Sequence, residues 1–310
     1  MKVDVSVQSY NKPESLIYAL FKLHRVSKDR VDTVWINDDQ SKPGVVEKYK
    51  RLEQSGVLAP WKIKVRVNTQ RMGWWLAFVK GKRPSYQTNF FRLKRMLWNL
   101  WKTKTIYVAE EDIRYQWALN STDKDYLFVM HDDIFFEKDV IGLYLDSALS
   151  PLDDKKCPKV IVGELGQCWR CPFKSDGCEP EKVLAGELPS KSWPLSPTLG
   201  AKNKWSCRIN EWSALLSVKG AREIQLNESL YFGNFDNNGD TAAYWFSRAV
   251  AMGYGFDDPL PKKELRDSFY LHWENGVTGH SAWVDQGAGK NSYSPEVFAQ
   301  RVLDEFEYSV

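Results

Sequence analysis

Two apolar runs in this chain end abruptly on adjacent aspartates, and this feature limits how the chain can fold. The segment YLFVMHDDIFFEKD leaves its first apolar run at Asp132 and Asp133, and the segment DTVWINDD ends on Asp38 and Asp39. Adjacent carboxylates at the end of a buried strand repel each other and lose hydration. A cation, a hydrogen-bond donor or water must relieve their charge, so each pair marks a candidate binding site.

The segments around these pairs alternate between strand and helix patterns. Val3, Val5 and Val7 alternate with polar residues, which predicts a strand with one buried face. A helix with Pro13 near its start follows, and the order of strand and helix recurs along the chain. We therefore predict an α/β fold, a single large domain with a Rossmann-like, mostly parallel sheet flanked by helices. In such sheets ligands bind beyond the carboxyl ends of the strands, where both aspartate pairs fall.

The composition excludes some classes of protein. Hydrophobic residues make up 43% of the 310 residues, which predicts a folded chain and not a disordered one. The 43 Lys and Arg nearly balance the 40 Asp and Glu, so the net charge of +3 gives no general indication of a nucleic-acid partner. No apolar run is long enough to cross a bilayer and no signal peptide is recognisable, so we expect a cytoplasmic protein.

Residues 71–109 form the most biased stretch of the chain, with nine Lys or Arg residues, nine aromatic residues and no acidic residue. Within it, Phe90, Leu93, Leu97 and Leu100 recur at helical spacing. One interpretation is a helix that docks on the sheet through these residues and exposes a basic face. The other is a surface that meets anionic lipid, at the inner face of the membrane, or a phosphate-bearing acceptor.

The pair Asp132 and Asp133 suits a divalent metal. Hard cations such as Mg²⁺ and Mn²⁺ take carboxylate oxygens together with phosphate oxygens and water. A diphosphate held through such an ion would have its negative charge neutralised as it leaves. The alternative is that Asp132 and Asp133 only cap the following helix, since Asp is a favoured cap and Glu137 suits a first helical turn.

The other pair has the chemistry to bind a nucleoside. Asp38 and Asp39 follow Asn37 and precede Gln40 and Ser41, so this strand end carries a cluster of hydrogen-bonding side chains. Such groups can bind the imide edge of a base or a ribose hydroxyl. One acidic strand end for a nucleoside and another for its diphosphate would form a single site.

Taken in order, four segments resemble the family-2-like nucleotide-sugar glycosyltransferases of the GT-A fold, and the resemblance covers most of residues 3–256. VDVSVQSYNKPESLIYAL is similar to the opening strand, TYN turn and first helix of that family, and VWINDDQS to its nucleoside-binding VDDGS strand end. YLFVMHDDIFFEKDVI resembles its metal-binding Asp-x-Asp strand end, with His131 at the first acidic position. LYFGNFDNNGDTAAYWFSRAVAMGY resembles the segment in which an acidic residue opens a helix that ends in GY.

The resemblance implies an enzyme of the hexosyltransferase class, which moves a sugar from a nucleoside-diphosphate sugar to an acceptor hydroxyl in glycan or polysaccharide synthesis. It implies that the nucleotide is bound by Ser9, Asn11, Asp38 and Asp39. The implied ligands of the metal, Mn²⁺ or Mg²⁺, are Asp132, Asp133 and His272. The implied acceptor contacts are Glu211 and Trp212. Asp240 is the implied general base of an inverting displacement, although the sequence leaves the stereochemical outcome open.

Several of these assignments have alternatives. Asp240 is equally suited to cap a helix, and Asp236 competes with it for the role of base. His280 competes with His272 as a ligand from the C-terminal part of the chain. His131 can itself ligate Mn²⁺ and lowers the negative charge of the site, which favours Mn²⁺ over Mg²⁺.

The resemblance also divides the chain and suggests its partners. It implies a GT-A-like catalytic domain over residues 1–260, with a nucleotide-binding half at 1–125 and a metal and acceptor half at 126–260. Residues 261–310 form an extension that ends in a helix with Pro295 near its first turn. The expected partners are the sugar donor and a glycan or lipid-linked acceptor, with no nucleic acid and with peripheral membrane contact left open.

Four of the five cysteines lie close together in the segment CPKVIVGELGQCWRCPFKSDGC. These are Cys157, Cys168, Cys171 and Cys178. The C-x-x-C pair within the segment can supply two of the four thiolates of a structural Zn²⁺ site. The alternatives are Cys207 as the fourth ligand in place of Cys157, reduced thiols, or a disulfide. The odd number of cysteines argues against a secreted disulfide framework.

Two other functions compete with the glycosyltransferase. A sugar nucleotidyltransferase needs a similar sheet and metal, but it usually carries a Gly-rich, Lys-containing loop after the first strand, and SYNKPES has no glycine. A non-enzymatic module that binds nucleic acid or a membrane surface could use the basic aromatic stretch at 71–109. That second alternative leaves both aspartate pairs without a role.

Overall fold

The computed structural model describes residues 1–72, 78–81, 94, 97–98, 100–102, 105–151, 158–165, 208–236, 241–273 and 293–310. The strands and helices follow in chain order: β1 (Val3–Ser9), α1 (Pro13–Ser27), β2 (Val31–Asp38), α2 (Pro43–Ser55), β3 (Lys62–Val67), α3 (Gln116–Ser121), β4 (Tyr126–Met130), β5 (Ile134–Phe136), α4 (Val140–Leu149), β6 (Lys159–Leu165), β7 (Ile209–Ser217), α5 (Val218–Glu228), α6 (Ala243–Ala251), β8 (Gly255–Asp257), α7 (Lys263–Asp267), β9 (Tyr270–His272) and α8 (Pro295–Phe306).

Seven strands form the central sheet, in the order β3-β2-β1-β4-β7-β6-β8. β1 pairs in parallel with β2 and β4, β2 with β3, and β6 with β8. β7 runs antiparallel between β4 and β6 and is the only reversed strand that the structure describes in this sheet. The predicted α/β class with a mostly parallel sheet flanked by helices is therefore confirmed.

Helices cover both faces of this sheet, as expected for parallel strands linked by helical crossovers. Val5 of β1 and Phe128 of β4 belong to a core shared with α1, α2, α4 and α8. Leu127 and Val129 of β4 belong to a second core, on the opposite face, shared with α3, α5 and α6. Because successive side chains of β4 point to opposite faces of the sheet, the strand contributes to both hydrophobic cores.

The prediction that β1 buries only one face is wrong. Every residue of β1 except Gln8 is buried, because the strand lies between β2 and β4 in the middle of the sheet. Asp4 is tolerated on the second face because it accepts three hydrogen bonds there. The donors are Trp35 Nε1 at 2.9 Å, the Thr33 amide at 3.1 Å and Thr122 Oγ1 at 2.8 Å.

The helix predicted to open at Asp240 starts later. α6 begins at Ala243, and Ala242 occupies its N-cap position with a φ of 61°. Asp240 itself lies outside the described residues. The predicted end of the helix at Gly253 is confirmed, since that residue has a φ of +88°, which terminates the helix in the left-handed region.

The basic aromatic stretch is described only in part. Residues 94, 97, 98 and 100–102 are helical, as predicted, whereas Phe90 and Leu93 lie outside the described residues. Leu97 and Leu100 are 58% and 49% exposed, which contradicts a helix docked on the sheet through these two residues. No helix in the described part of the chain has the length and apolar character to span a membrane.

The terminal helix α8 packs against α1. Pro295 stands in its first turn, as predicted, and the Ser294 hydroxyl accepts a hydrogen bond from the Val297 amide as an N-cap. Phe306 stacks on Phe21 with ring centroids 4.9 Å apart. This packing covers the outer side of the helix that leads away from β1.

A close approach of two strands gives the first testable prediction. A Cβ placed on Gly163 of β6 would lie 2.7 Å from the Ser213 carbonyl oxygen and 3.1 Å from the Ala214 Cα of β7. Because these are backbone atoms of a central strand, Gly163→Ala should lower the free energy of unfolding by roughly 1–3 kcal/mol in urea denaturation. Gly44→Ala is the control, since nothing lies within 4 Å of its Cβ position near the start of α2, and it should not destabilise the protein. Equal stability of both variants would contradict the close approach of β6 and β7.

Candidate functional site

The candidate site lies at the carboxyl edge of the sheet, where the ends of β1, β2, β4 and β6 meet the start of β7. β4 is apolar and almost wholly buried, and it ends at Met130. His131 then leaves the strand, and its amide donates a hydrogen bond of 3.0 Å to the Trp212 carbonyl oxygen of β7. This bond fixes the turn that presents Asp132 and Asp133 at the sheet edge.

His272 reaches the same place from a distant part of the chain. β9 pairs antiparallel with β5, which places His272 opposite Ile134, directly after the aspartate pair. The Trp273 amide donates a hydrogen bond of 2.9 Å to the Asp133 carbonyl oxygen and extends this pairing. The His272 Nε2 atom lies 3.5 Å from Asp133 Oδ1 as a result.

Three side chains at this edge are placed to hold a metal ion. One ligand atom from each of His131, Asp133 and His272 lies within 4.8 Å of the other two. Two imidazole nitrogens and one carboxylate oxygen suit Mn²⁺ better than Mg²⁺, which prefers oxygen ligands alone. The donor set therefore fits the predicted divalent ion, with two of the three predicted ligands brought together and His131 added to them.

The third predicted ligand, Asp132, has other partners. Its Oδ2 accepts a hydrogen bond of 2.6 Å from Ser9 Oγ, and its Oδ1 lies 2.6 Å from Lys12 Nζ. Its carbonyl oxygen accepts a hydrogen bond of 2.6 Å from Ser15 Oγ. Ser9, predicted to bind the nucleotide, thus connects β1 to the end of β4, and Lys12 lies between the two carboxylates, 3.2 Å from Asp133 Oδ2.

These contacts set the ionisation of the acidic strand end. Burial alone would raise the pKa of Asp133, but the charge of Lys12 and the nearby His272 hold that pKa well below its ordinary value. Burial would lower the pKa of Lys12, but the two carboxylates raise it overall. Asp133 is therefore an ionised carboxylate beside the ammonium group of Lys12.

Glu211, predicted as an acceptor contact, lies behind this cluster. Its Oε1 is 3.6 Å from His131 Nε2 and its Oε2 is 3.4 Å from the buried guanidinium of Arg208. Burial would raise the pKa of Glu211, but His131 and Arg208 lower it to about 2. A carboxylate next to a ligating histidine helps to orient the imidazole and raises its basicity.

Trp212 faces the site more directly. Its ring lies 5.0 Å from the His272 ring, and its Nε1 donates a hydrogen bond of 2.9 Å to Glu164 Oε2 at the end of β6. Glu164 also accepts from Tyr270 and pairs with Arg266 at 2.7 Å. The half-buried indole is thereby held as one wall beside the metal cluster.

The predicted nucleoside pair is buried at the end of β2. Asp38 Oδ2 accepts a hydrogen bond of 2.8 Å from the Ser41 amide, and Oδ1 has no hydrogen-bond partner in the described part of the chain. Burial raises the pKa of Asp38 above its ordinary value. Asp39 Oδ1 accepts from Asn68 Nδ2 at 2.9 Å and from the Met72 amide at 2.6 Å, so this carboxylate holds the chain after β3.

Asn11, also predicted to bind the nucleotide, joins two turns at the sheet edge. Its φ of 55° is left-handed, a conformation that asparagine adopts more readily than most residues. Its amide donates to Ser41 Oγ at 2.8 Å, and its Oδ1 accepts from the Lys42 amide at 3.0 Å. The turn after β1 is thereby attached to the turn after β2.

Some predicted residues lie outside the described part of the chain. These are the implied base Asp240, the competing ligand His280, and the cysteines Cys157, Cys168, Cys171, Cys178 and Cys207. The structure does not test the predicted zinc site. Asp236, the competitor of Asp240, is buried, and its Oδ1 accepts a hydrogen bond of 3.4 Å from Asn234 Nδ2.

Three participants in the site were missed from the sequence. Lys12 stands directly before Pro13, so its place before the first turn of α1 was readable, but its contact with β4 depends on the order of the strands. Glu164 stands next to last in β6, and its place near the end of an apolar run, like that of the aspartate pairs, was a usable signal. Arg208 lies next to β7 and carried no pattern that pointed to Glu211.

No protein-family model matches this chain, and no curated protein matches its sequence. Several solved structures are similar to it, and they are GT-A-type glycosyltransferases. A mannosyltransferase from Pyrobaculum calidifontis, in complex with GDP-Man and Mn²⁺, is 12% identical with a TM-score of 0.45, and the match covers 86% of this chain but 59% of that one. This chain therefore spans less than two thirds of the mannosyltransferase.

Two further structures match at similar levels. Glucosyl-3-phosphoglycerate synthase from Mycobacterium tuberculosis, in complex with Mn²⁺, UDP and glucosyl-3-phosphoglycerate, is 12% identical with a TM-score of 0.40 and covers 89% of this chain and 75% of its own. A galactosyltransferase in complex with donor and acceptor sugar analogues is 10% identical with a TM-score of 0.34 and covers 83% and 73%.

The buried carboxylate of Glu211 gives a prediction about pH. Its folded-state pKa of about 2 lies below the ordinary 4.5, so its contribution to stability is present above pH 4.5 and is lost as the pH falls toward 2. Glu211→Gln should therefore lower the free energy of unfolding near neutral pH by on the order of 3 kcal/mol. The difference in the free energy of unfolding between Glu211→Gln and the wild type should become smaller as the pH falls from about 5 to about 3, as measured by urea titrations.

Glu47→Gln is the matched control, because Glu47 is an exposed carboxylate on α2. It should change neither the stability nor its pH dependence by more than a few tenths of a kcal/mol. A gap for Glu211→Gln that stays constant over the acid range would show that Glu211 stabilises the fold through packing and not through its charge.

Proposed function

We propose that this chain is a metal-dependent glycosyltransferase that moves a sugar from a nucleoside-diphosphate sugar to an acceptor hydroxyl. The observation that carries the proposal is the convergence at one sheet edge of the metal-ligating cluster His131, Asp133 and His272 with the buried carboxylates of Asp38 and Asp39. The first group suits a diphosphate through a divalent ion, and the second suits a nucleoside. The two clusters follow β4 and β2, which flank β1 in the sheet. This placement supports a donor that carries both a diphosphate and a nucleoside.

The roles of the residues on the donor side follow from their surroundings. His131, Asp133 and His272 would hold the ion, which supplies positive charge to neutralise the diphosphate as it leaves. Asp38 Oδ1 is the acceptor atom best placed for the nucleoside, because the other oxygen of this carboxylate, Oδ2, already accepts a hydrogen bond from the Ser41 amide. Ser9, Asn11 and Asp39 support this site by holding β1, β2 and β3 in register.

On the acceptor side, the half-buried ring of Trp212 is proposed as the contact surface for the incoming sugar, since aromatic faces pack against sugar rings. Glu211 is proposed to act through His131 and not to touch the acceptor. The role of Asp240 as the base that takes the acceptor proton, and an inverting displacement, rest on the resemblance of the segment that contains it. The halves 1–125 and 126–260 would then serve the nucleotide and the acceptor.

The direct test is nucleotide binding. UDP, GDP, dTDP and CMP are each added with and without Mn²⁺, and thermal stability is measured. One nucleoside diphosphate should stabilise the wild type in an Mn²⁺-dependent manner, by about 2.7 kcal/mol at a hundredfold excess over its dissociation constant. Asp133→Asn should abolish the Mn²⁺-dependent part, because it removes the carboxylate of the cluster.

Asp123→Asn is the control for this experiment, since Asp123 is an exposed carboxylate just before β4, at the opposite edge of the sheet. It should respond to nucleotide and Mn²⁺ as the wild type does. Lack of stabilisation by all four nucleotides in folded wild-type protein would count against the transferase. A response that Asp133→Asn retains would count against the metal site alone.

A second feature supports peripheral contact of this enzyme with an anionic membrane. Leu97, Trp98, Leu100 and Trp101 are between 48% and 66% exposed on one short helical stretch. The rings of Trp98 and Trp101 lie 5.3 Å apart, and Lys102 Nζ lies 4.9 Å from the Trp98 ring. Exposed Trp and Leu flanked by Lys, in a stretch without acidic residues, match the headgroup region of an anionic bilayer in both polarity and charge.

Vesicle binding tests this contact. The double variant Trp98→Ser with Trp101→Ser should bind vesicles of mixed phosphatidylserine and phosphatidylcholine at least about tenfold more weakly than the wild type in co-sedimentation, because less apolar area is buried. Leu226→Ser is the matched control, since Leu226 is 78% exposed on α5, and it should bind as the wild type does. Wild-type protein that binds neither anionic nor neutral vesicles would rule the contact out.

A further inference from the structure

Lys12 occupies an unusual position between the two carboxylates at the end of β4. Its Nζ lies 2.6 Å from Asp132 Oδ1 and 3.2 Å from Asp133 Oδ2, and its side chain is only 6% exposed. An ion held by Asp133, His131 and His272 would share a carboxylate with this ammonium group. Two cations so close together repel each other strongly where water is excluded.

We propose that Lys12 is a built-in counter-cation of the candidate metal site, which keeps the acidic strand end folded without a divalent ion and weakens the binding of that ion. The inference rests on the metal site of the proposed function and deepens it. Lys12 has a positioning role, and the positive charge that it carries sets the metal affinity of the protein.

The local structure holds Lys12 in this position. Asn11 takes a left-handed conformation and Pro13 opens α1, so the backbone on either side of Lys12 is constrained. The Lys12 carbonyl oxygen accepts the hydrogen bond from the Leu16 amide that begins the helix. The backbone that carries Lys12 is therefore fixed at the start of α1, and its buried side chain lies between the two carboxylates.

The two aspartates have different surroundings. Asp132 is bound by the Ser9 hydroxyl and by Lys12, and its carbonyl oxygen by Ser15, so its role is to hold Lys12 and the turn. Asp133 directs Oδ2 to Lys12 and Oδ1 to His272. Asp133 is therefore the carboxylate that the ammonium group and a metal ion would share.

The charges explain the composition of the cluster. Two carboxylates and one ammonium group leave one net negative charge where a pair of aspartates alone would leave two. A site with little negative charge is poor for Mg²⁺, which depends on oxygen ligands, and better for a metal that also binds imidazole. His131 and His272 supply that binding without adding charge.

The experiment compares Lys12→Met with Lys22→Met. Lys22 is a matched control on α1, since its side chain is also 6% exposed and its Nζ lies 2.6 Å from a carboxylate, that of Glu137, which is not part of the cluster. Mn²⁺ affinity is measured by electron paramagnetic resonance, and melting temperature with and without Mn²⁺. Lys12→Met should bind Mn²⁺ at least about tenfold more tightly than the wild type, because a neighbouring positive charge is gone.

Lys12→Met should also melt at a lower temperature than Lys22→Met in metal-free buffer and regain most of the loss when Mn²⁺ is added. Lys22→Met should keep the wild-type affinity for Mn²⁺. Unchanged Mn²⁺ affinity in Lys12→Met, or a metal-free melting temperature no lower than that of Lys22→Met, would overturn the proposal.

A second variant keeps the test decisive if Lys12→Met does not fold. Asp132→Asn has the same shape as the wild-type side chain and still accepts from Ser9, and it leaves Lys12 with Asp133 as its remaining carboxylate. It should bind Mn²⁺ somewhat more weakly than the wild type but still measurably, whereas Asp133→Asn should not bind it. Equal loss in both variants would make Asp132 a ligand and overturn the division of roles.

The same samples separate this proposal from the proposed function. Wild-type protein that binds a nucleoside diphosphate with Mn²⁺, together with a Lys12→Met variant of unchanged Mn²⁺ affinity, overturns only the role of Lys12. Wild-type protein that binds neither nucleotide nor Mn²⁺ overturns the metal site and this proposal with it.

Discussion

Buried negative charge at the carboxyl edge of the sheet is the constraint to which the rest of this site is built. Burying an unpaired charge is far more costly than leaving it in water, so each carboxylate needs a partner. Asp132 and Asp133 have Lys12, Glu211 has Arg208, and Asp112 has Arg66 at 2.6 Å. The Lys12 pair joins the turn after β1 to the end of β4, the Arg66 pair joins β3 to the segment before α3, and the Arg208 pair lies at the start of β7.

The ends of β2 and β3 are held by a hydrogen-bond network that starts from Asp112. Its carboxylate accepts from the Thr69 amide at 3.0 Å, and its carbonyl oxygen accepts from Asn68 Nδ2 at 3.1 Å. Asn68 in turn donates to Asp39, while Arg66 donates to Asn37 and to the Glu111 carbonyl oxygen. A connected network of this kind gives the ends of β2 and β3 a single arrangement, which the proposed nucleoside site would require.

Local sequence patterns predicted those features of the structure that depend on residues close together along the chain. The alternation of strands and helices predicted the α/β sheet, and Pro13, Gly253 and Pro295 marked helix ends correctly. The one-sided burial of β1 was wrong because its place in the middle of the sheet follows from pairing with β4, more than a hundred residues later. The contact of Lys12 with the aspartate pair and the place of Glu211 behind His131 depend on that same strand order, which the sequence does not display.

The negative charge that a histidine at position 131 cannot supply is present on the side chain next to it. Where the family that the sequence resembles has an acidic residue, this chain has His131, and the carboxylate of Glu211 lies 3.6 Å from its Nε2. His131 and Arg208 lower the pKa of Glu211, so an ionised carboxylate lies beside His131. Lys12 acts in the opposite sense on Asp133, and the two together give a cluster whose affinity for a metal ion depends on imidazole nitrogen more than on charge.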